Sequence, residues 1–101
     1  MSNLQKNHIK KQYPTQNKDY ELTELDDEII LFSVKHEKAI YLNPSAQLIW
    51  QLCDGKYSVD DIIEGLEQQY PEESSIEQHV LEAFDKMQGD GVIIFISEPI
   101  E

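Results

Sequence analysis

The sequence predicts one α+β domain in which a three-stranded antiparallel sheet packs on three helices. The length sets the frame: 101 residues suffice for one hydrophobic core and are too few for a core plus a separate cofactor domain. Periodicity fills it in. Short apolar runs with polar connections occupy Tyr20–Leu42, and apolar residues then recur at helical spacing from Asn43 to Met87. With 40% hydrophobic and 28% charged residues, the chain has the make-up of a globular domain with some polar excess.

Residues 1–18 hold four of the eight Lys and no acid, with few apolar side chains, so they are expected to form a disordered Lys-rich tail or a basic arm that touches a partner or the acidic body. The domain is expected over residues 19–96, with 97–101 as a C-terminal tail. Tyr20, Leu22 and Leu25 alternate with polar residues as in a half-buried strand. Asp26-Asp27 makes a turn into a second strand over Glu28–Lys35, centred on Ile29-Ile30-Leu31-Phe32. His36-Glu37 punctuates the chain before a third strand, Lys38-Ala39-Ile40-Tyr41-Leu42. Tight polar connections of this kind predict an antiparallel meander.

Asn43-Pro44 reads as an N-cap followed by proline in the first helical turn, where a missing N–H costs nothing. The helix places Ala46, Ile49, Trp50 and Cys53 on one stripe, widened by Leu48 and Leu52, and Asp54-Gly55 stops it. Ser58 with Asp61 resembles a capping box for a second helix that buries Val59, Ile62, Ile63, Leu66 and Tyr70 and ends at Pro71. Ser74 or Ser75 caps a third, with Ile76, Val80, Ala83, Phe84 and Met87 inward and Gly89 at its close. Gly91–Ile96 is a final extended apolar run. This order is compatible with a winged helix-turn-helix-like arrangement.

Little in the sequence carries chemistry. His8, His36 and His79 fall in the tail, a turn and a helix, and no H-x-x-x-H, C-x-x-C or H-x-E spacing would gather metal ligands. Cys53 lies on an apolar stripe and reads as a buried structural thiol; as the only cysteine it allows no intramolecular disulfide and fits a reducing cytoplasm. The neighbours Asp60-Asp61 and Glu72-Glu73 point apart, which suits solvated faces and not acid–base pairs. Phosphate-binding glycine patterns and the G-x-S-x-G nucleophile motif are absent. The net charge of -12 excludes a nucleic-acid surface, which needs clustered Lys and Arg. The third helix repeats the point: Glu77, Glu82 and Asp85 stand against Lys86, the reverse of a recognition helix in a winged-helix regulator. No apolar run reaches the roughly 20 residues that span a bilayer, and no apolar signal segment opens the chain. Composition and spacing therefore reach a small acidic interaction domain without cofactor or enzymatic machinery.

One stretch goes further. Leu42-Asn43-Pro44-Ser45-Ala46-Gln47-Leu48-Ile49-Trp50, then Leu52-Cys53-Asp54-Gly55 and Ser58-Val59-Asp60-Asp61-Ile62, resembles the PqqD-like family pattern LN-x-[S/T]-A-x-x-[I/L]-W-x-L-x-x-G with [T/S]-V-x-[E/D]-I. The likeness continues through Leu66, Tyr70-Pro71 and Gly91-Val92-Ile93, and covers roughly residues 20–95. It implies a non-catalytic precursor-peptide recognition element of ribosomally made, modified peptides. Such a protein binds a leader segment and presents it to a radical SAM protein or another peptide-modifying enzyme. The short chain would suit the free-standing kind; an acidic adaptor that serves an enzyme without a leader peptide is the alternative.

The leader of such a family adds as a strand to an exposed sheet edge, taking main-chain hydrogen bonds for affinity and side-chain pockets for register. The resemblance places the edge on Lys38, Ala39, Ile40, Tyr41 and Leu42. The other wall would be the third helix, with His79, Val80, Ala83, Phe84 and Met87 as candidates. Period-two alternation sends Ala39 and Tyr41 to one face and Lys38, Ile40 and Leu42 to the other, leaving either face open to the groove. Trp50, Ile49 and Ile62 match the motif but read as structural, and Asn43 as a cap. The Lys-rich segment lies outside the pattern. Five consecutive apolar residues, Val92–Ile96, make an exposed strand a liability and suggest a homodimer or an exchanged strand.

Overall fold

A two-residue turn at Asp26-Asp27 and a four-residue turn over 34–37 shape the first half of the structure, a computed structural model that describes residues 9–100. Strands β2 (Glu21–Leu25), β3 (Glu28–Ser33) and β4 (Lys38–Leu42) form an antiparallel sheet in the order β2-β3-β4. The register pairs Leu22 with Leu31 and Ile30 with Tyr41. Asp26 and Glu37 turn the corners with φ of 52° and 53°. In β3, Leu31 and Ser33 are fully buried against the helices, whereas Phe32 on the opposite face stays exposed.

The helices start where the caps lie. In α1 (Pro44–Gln51), the Asn43 side chain accepts the Ala46 N–H at 2.8 Å. In α2 (Val59–Gln69), Ser58 and Asp61 form both bonds of a capping box, each at 3.0 Å. Together with α3 (Ile76–Asp90) these helices bury Ile49, Trp50, Val59, Ile62, Ile63, Leu66, Val80, Phe84 and Met87 as expected. Leu81, absent from the predicted stripe, joins them, which widens the apolar face of α3. The expected α+β architecture of a three-stranded antiparallel sheet with three helices is present.

Several expectations need correction. Residues 13–18 are not a free tail: β1 (Tyr13–Gln16) pairs antiparallel with β5 (Ile93–Ile96), from Tyr13 opposite Ile96 to Gln16 opposite Ile93. The residues just before β1 cap α2, because the N–H groups of Val59 and Asp60 donate to the carbonyls of Gln12 and Lys10, each at 3.0 Å. Those are amides a helix leaves without internal partners. Residues 1–8, with the remainder of the expected tail and His8, lie outside the described residues. The apolar run that suggested strand exchange finds a partner within the chain on its β1 side, and Val92 and Ile93 sink into the core.

Other differences are local. Leu22 and Leu25 do not form a half-buried face, being 39% and 59% exposed on an edge strand that the helices do not cover; Tyr20, just before the strand, is the buried residue. Tyr70 ends α2 largely exposed rather than buried. Ser75 sits at the N-cap of α3 in a left-handed conformation without a side-chain capping bond. Gly89 does not close that helix: Gly91 does, at φ 79°, with its N–H on the Gln88 carbonyl at 3.0 Å. Residues 97–100 are tied to the domain where the Ile100 N–H donates to the Gly55 carbonyl at 2.8 Å.

Candidate functional site

The meander leaves β4 with β3 on one side and no strand on the other among the described residues. That open edge faces α3, and α1 lies beneath. Between them runs a groove of about 500 Å³. Leu42, Ala46 and Ile49 supply its apolar floor, Ala83 and Met87 its helical wall, and Tyr41 its mouth. Small side chains at 46 and 83 on facing helices keep this space open. A larger residue at either position would fill it.

Alternation along β4 settles which way its side chains point. Ile40 pairs with buried Leu31 and Leu42 with half-buried Ile29, so these two face the helices, with Ile40 half-buried and Leu42 buried. Ala39 and Tyr41 turn to the opposite, exposed face, with Tyr41 still among the residues that line the groove. Lys38 closes one end: its Nζ lies 3.4 Å from the Asp90 carbonyl at the C-terminus of α3, where the helix dipole favours a cation. Lys86 pairs with Asp90 at 3.0 Å across one helical turn. Glu82 lines the same wall and has no cation within 4 Å among the described residues.

Of the residues expected on this wall, His79, Ala83 and Met87 line the groove. Val80 is buried and lines a neighbouring depression, and Phe84 is wholly buried behind the wall, packed at a ring-centroid distance of 5.9 Å from Phe95. Ile49, expected to be structural only, is also part of the floor. The sequence reading missed Ser45, Ala46, Glu82, Lys86 and Asp90 as lining residues. The i, i+4 spacing of 82, 86 and 90 could have found the last three, since it continues the 79–83–87 face by one position.

The motif residues hold the groove's shape. The Trp50 indole Nε1–H donates to the Val92 carbonyl at 3.1 Å, tying α1 to the end of α3. Cys53 is fully buried, donates from Sγ to the Ile49 carbonyl at 3.2 Å, and has its thiol pushed by burial from 9.0 up to about 12. It is therefore protonated and inert near neutral pH. His36 is remote from the groove: it stacks on Tyr20 and bonds the Asp19 carboxylate at 3.0 Å. That bond and the nearby Lys35 hold the Asp19 carboxyl below its usual range. Among the described residues no three His, Cys, Asp or Glu side chains gather as metal ligands. No described helix is long and apolar enough to cross a membrane.

A family model described as coenzyme PQQ synthesis protein D (PqqD) matches residues 28–93. The chain belongs to the PqqD family. The matched span runs from β3 through α3 to the first residue of β5 and contains every described residue lining the groove. A relative named PqqA binding protein, from Acinetobacter baylyi (strain ATCC 33305 / BD413 / ADP1), is 41% identical over 46 residues. That match covers 46% of this chain and 46% of the relative, so less than half of the relative's length is represented. No solved structure matches the chain. For a PqqD-family protein the motif positions fall into two groups here: Asn43, Trp50, Ser58 and Asp61 fix helix starts and packing, and Leu42, Ala46 and Ile49 floor the groove.

Proposed function

We propose that this chain binds the leader segment of a ribosomally made precursor peptide by strand addition to β4. It then presents the peptide to an enzyme that modifies it, a radical SAM protein or another maturase. The observation that carries the reading is the open β4 edge opposite α3, with an apolar floor between them. A peptide strand on that edge forms main-chain hydrogen bonds worth only about 0.5–1.5 kcal/mol each. Discrimination then falls to side chains that enter the groove beside Ala83 and Met87. In this reading Lys38, Ala39, Ile40, Tyr41 and Leu42 offer the edge, and His79, Ala83 and Met87 contact the peptide. Val80 and Phe84 support the wall from behind.

The family, and the name of the relative, support a peptide-binding role in PQQ biosynthesis, with PqqA read as the precursor. The arrangement is winged-helix-like, turned from nucleic acid to peptide by an acidic third helix. The chain itself supplies no catalytic group, and its setting is the cytoplasm. Titration of synthetic PqqA into the ¹⁵N-labelled full chain tests the reading. Amide shifts are expected over 38–42 and along α3; saturable binding without shifts in either place would refute strand addition. Tyr41→Pro, which deletes an N–H on the open side of β4, should weaken binding in a folded protein.

A further inference from the structure

Resting on that reading, we propose that the peptide site does not end with the β4 edge but continues into a second groove. This groove takes an apolar side chain flanked by Lys or Arg. It holds about 460 Å³ and lies where α1, the end of α2 and the start of α3 meet. Leu48, Leu66, Tyr70, Ile76 and Val80 line it, with Glu73 among the lining residues. Leu48 and Tyr70 are 38% and 43% exposed, so two large apolar side chains stand open to an incoming group.

Its occupant follows from its position. Ser45, Ile49 and His79 line both grooves, which therefore adjoin. The direction is fixed by β4: Lys38 reaches Asp90 at the C-terminus of α3, while Leu42 shares the first groove with His79 near the N-terminus. A strand paired along β4 that runs past Leu42 thus meets His79 and then the second groove. The lengths agree with such an overrun. The 15 residues of α3 span about 22 Å and the five of β4 about 16 Å, so the wall outruns the edge by roughly two extended residues. A peptide bound only to β4 would leave this apolar surface wet.

Charge selects the flanking residue. Glu73 lines the second groove and Glu82 the first, and neither has a cation within 4 Å among the described residues. The cations nearby are engaged elsewhere: Lys86 with Asp90 and Lys10 with Glu77, each at 3.0 Å. A Lys or Arg next to the apolar anchor would meet carboxylates from both sides of His79.

The test uses synthetic PqqA with the full chain and three variants of residues outside the core, Leu48→Gln, Tyr70→Ser and Glu73→Lys. Wild-type titration should shift amides at Tyr70 and Ile76 together with those of 38–42. Leu48→Gln and Tyr70→Ser should each weaken binding about tenfold, the scale of one apolar side chain left unburied. A PqqA fragment cut back to the β4-pairing segment should bind more weakly and no longer respond to either substitution. Glu73→Lys should weaken binding, most at low salt. If β4 shifts persist but both groove variants bind within twofold of wild type, the second groove is not used and strand addition stands. Tighter binding by Glu73→Lys would overturn the cationic assignment. If PqqA fails to bind the wild-type chain at all, the peptide-binding reading falls and this inference with it.

Discussion

Ala83→Leu is the sharpest perturbation of the proposed groove. Ala83 is half-buried on α3 and lines the space between that helix and β4. Leucine is close to alanine in helix propensity, so the helix should be kept and stability change by less than about 0.5 kcal/mol. The added isopropyl group has only the groove to enter, because Phe84 and Val80 already fill the core behind it. It would occupy the place of one apolar side chain of the peptide. Burial of such a side chain is worth about 1.5–3 kcal/mol. Its loss corresponds to a rise in Kd of roughly ten- to one-hundred-and-fifty-fold. Calorimetric titration with PqqA reads the affinity, and urea denaturation reads the fold. Asp85→Leu, on the exposed side of the same helix, adds a similar side chain outside the groove and should leave Kd unchanged. A folded Ala83→Leu protein with Kd within twofold of wild type would refute the placement of the peptide.

Three further outcomes follow from the fold. Gly91→Ala should cost about 1–2 kcal/mol by urea denaturation for its left-handed backbone alone, since nothing crowds a Cβ there. Gly55→Ala should cost more, because its Cβ would stand 2.5 Å from Ile100 Cδ1, and adding Ile100→Ala should recover the difference. Cys53 should resist iodoacetamide in the native state at pH 8 and react on unfolding. Its thiol is raised to about 12 when folded, so the unfolded thiol ionises first and stability should fall as pH rises above 9. The Asp19 carboxyl should titrate below 3.8 by NMR and move back up in His36→Ala. Its folded pKa is depressed, so its contribution is fully present above the ordinary 3.8 and fades as pH falls from there through the folded pKa.

The elements whose stabilising partners lie nearby were readable from the residues. Asn43-Pro44 and Ser58-x-x-Asp61 state their caps within four positions, and the stripes of α2 and α3 follow from spacing alone. β1 was not readable, because it depends on residues about 80 positions away. In isolation YPTQ contains a proline and two polar residues beside a run of Lys and Asn, the composition of a tail. Its order comes from β5, from Gly55, whose N–H donates to the Pro14 carbonyl at 2.9 Å, and from the open amides of α2. The groove was half legible. Its strand edge and helix came from the family pattern, but alternation could not say which face of β4 turns inward until Leu31 and Ile29 were seen opposite Ile40 and Leu42. Glu82 and Lys86 look like ordinary solvated helix residues in the sequence, and only the placement of β4 makes them groove residues.

The β1–β5 ribbon has a consequence for how the chain is made. The meander and the three helices close through short connections and can form as they emerge, whereas β1 waits for a partner synthesised about 80 residues later. At the usual 5–20 residues per second the delay is roughly 4–16 s. Closing so large a loop also costs more chain entropy than any hairpin in the sheet, though the penalty grows only logarithmically. Ribbon closure is thus expected late in folding, and its reopening should be a partial unfolding of the finished protein. Hydrogen exchange should find the amides of Gln16, Val59 and Asp60 leaving together, ahead of those that join β3 to β4.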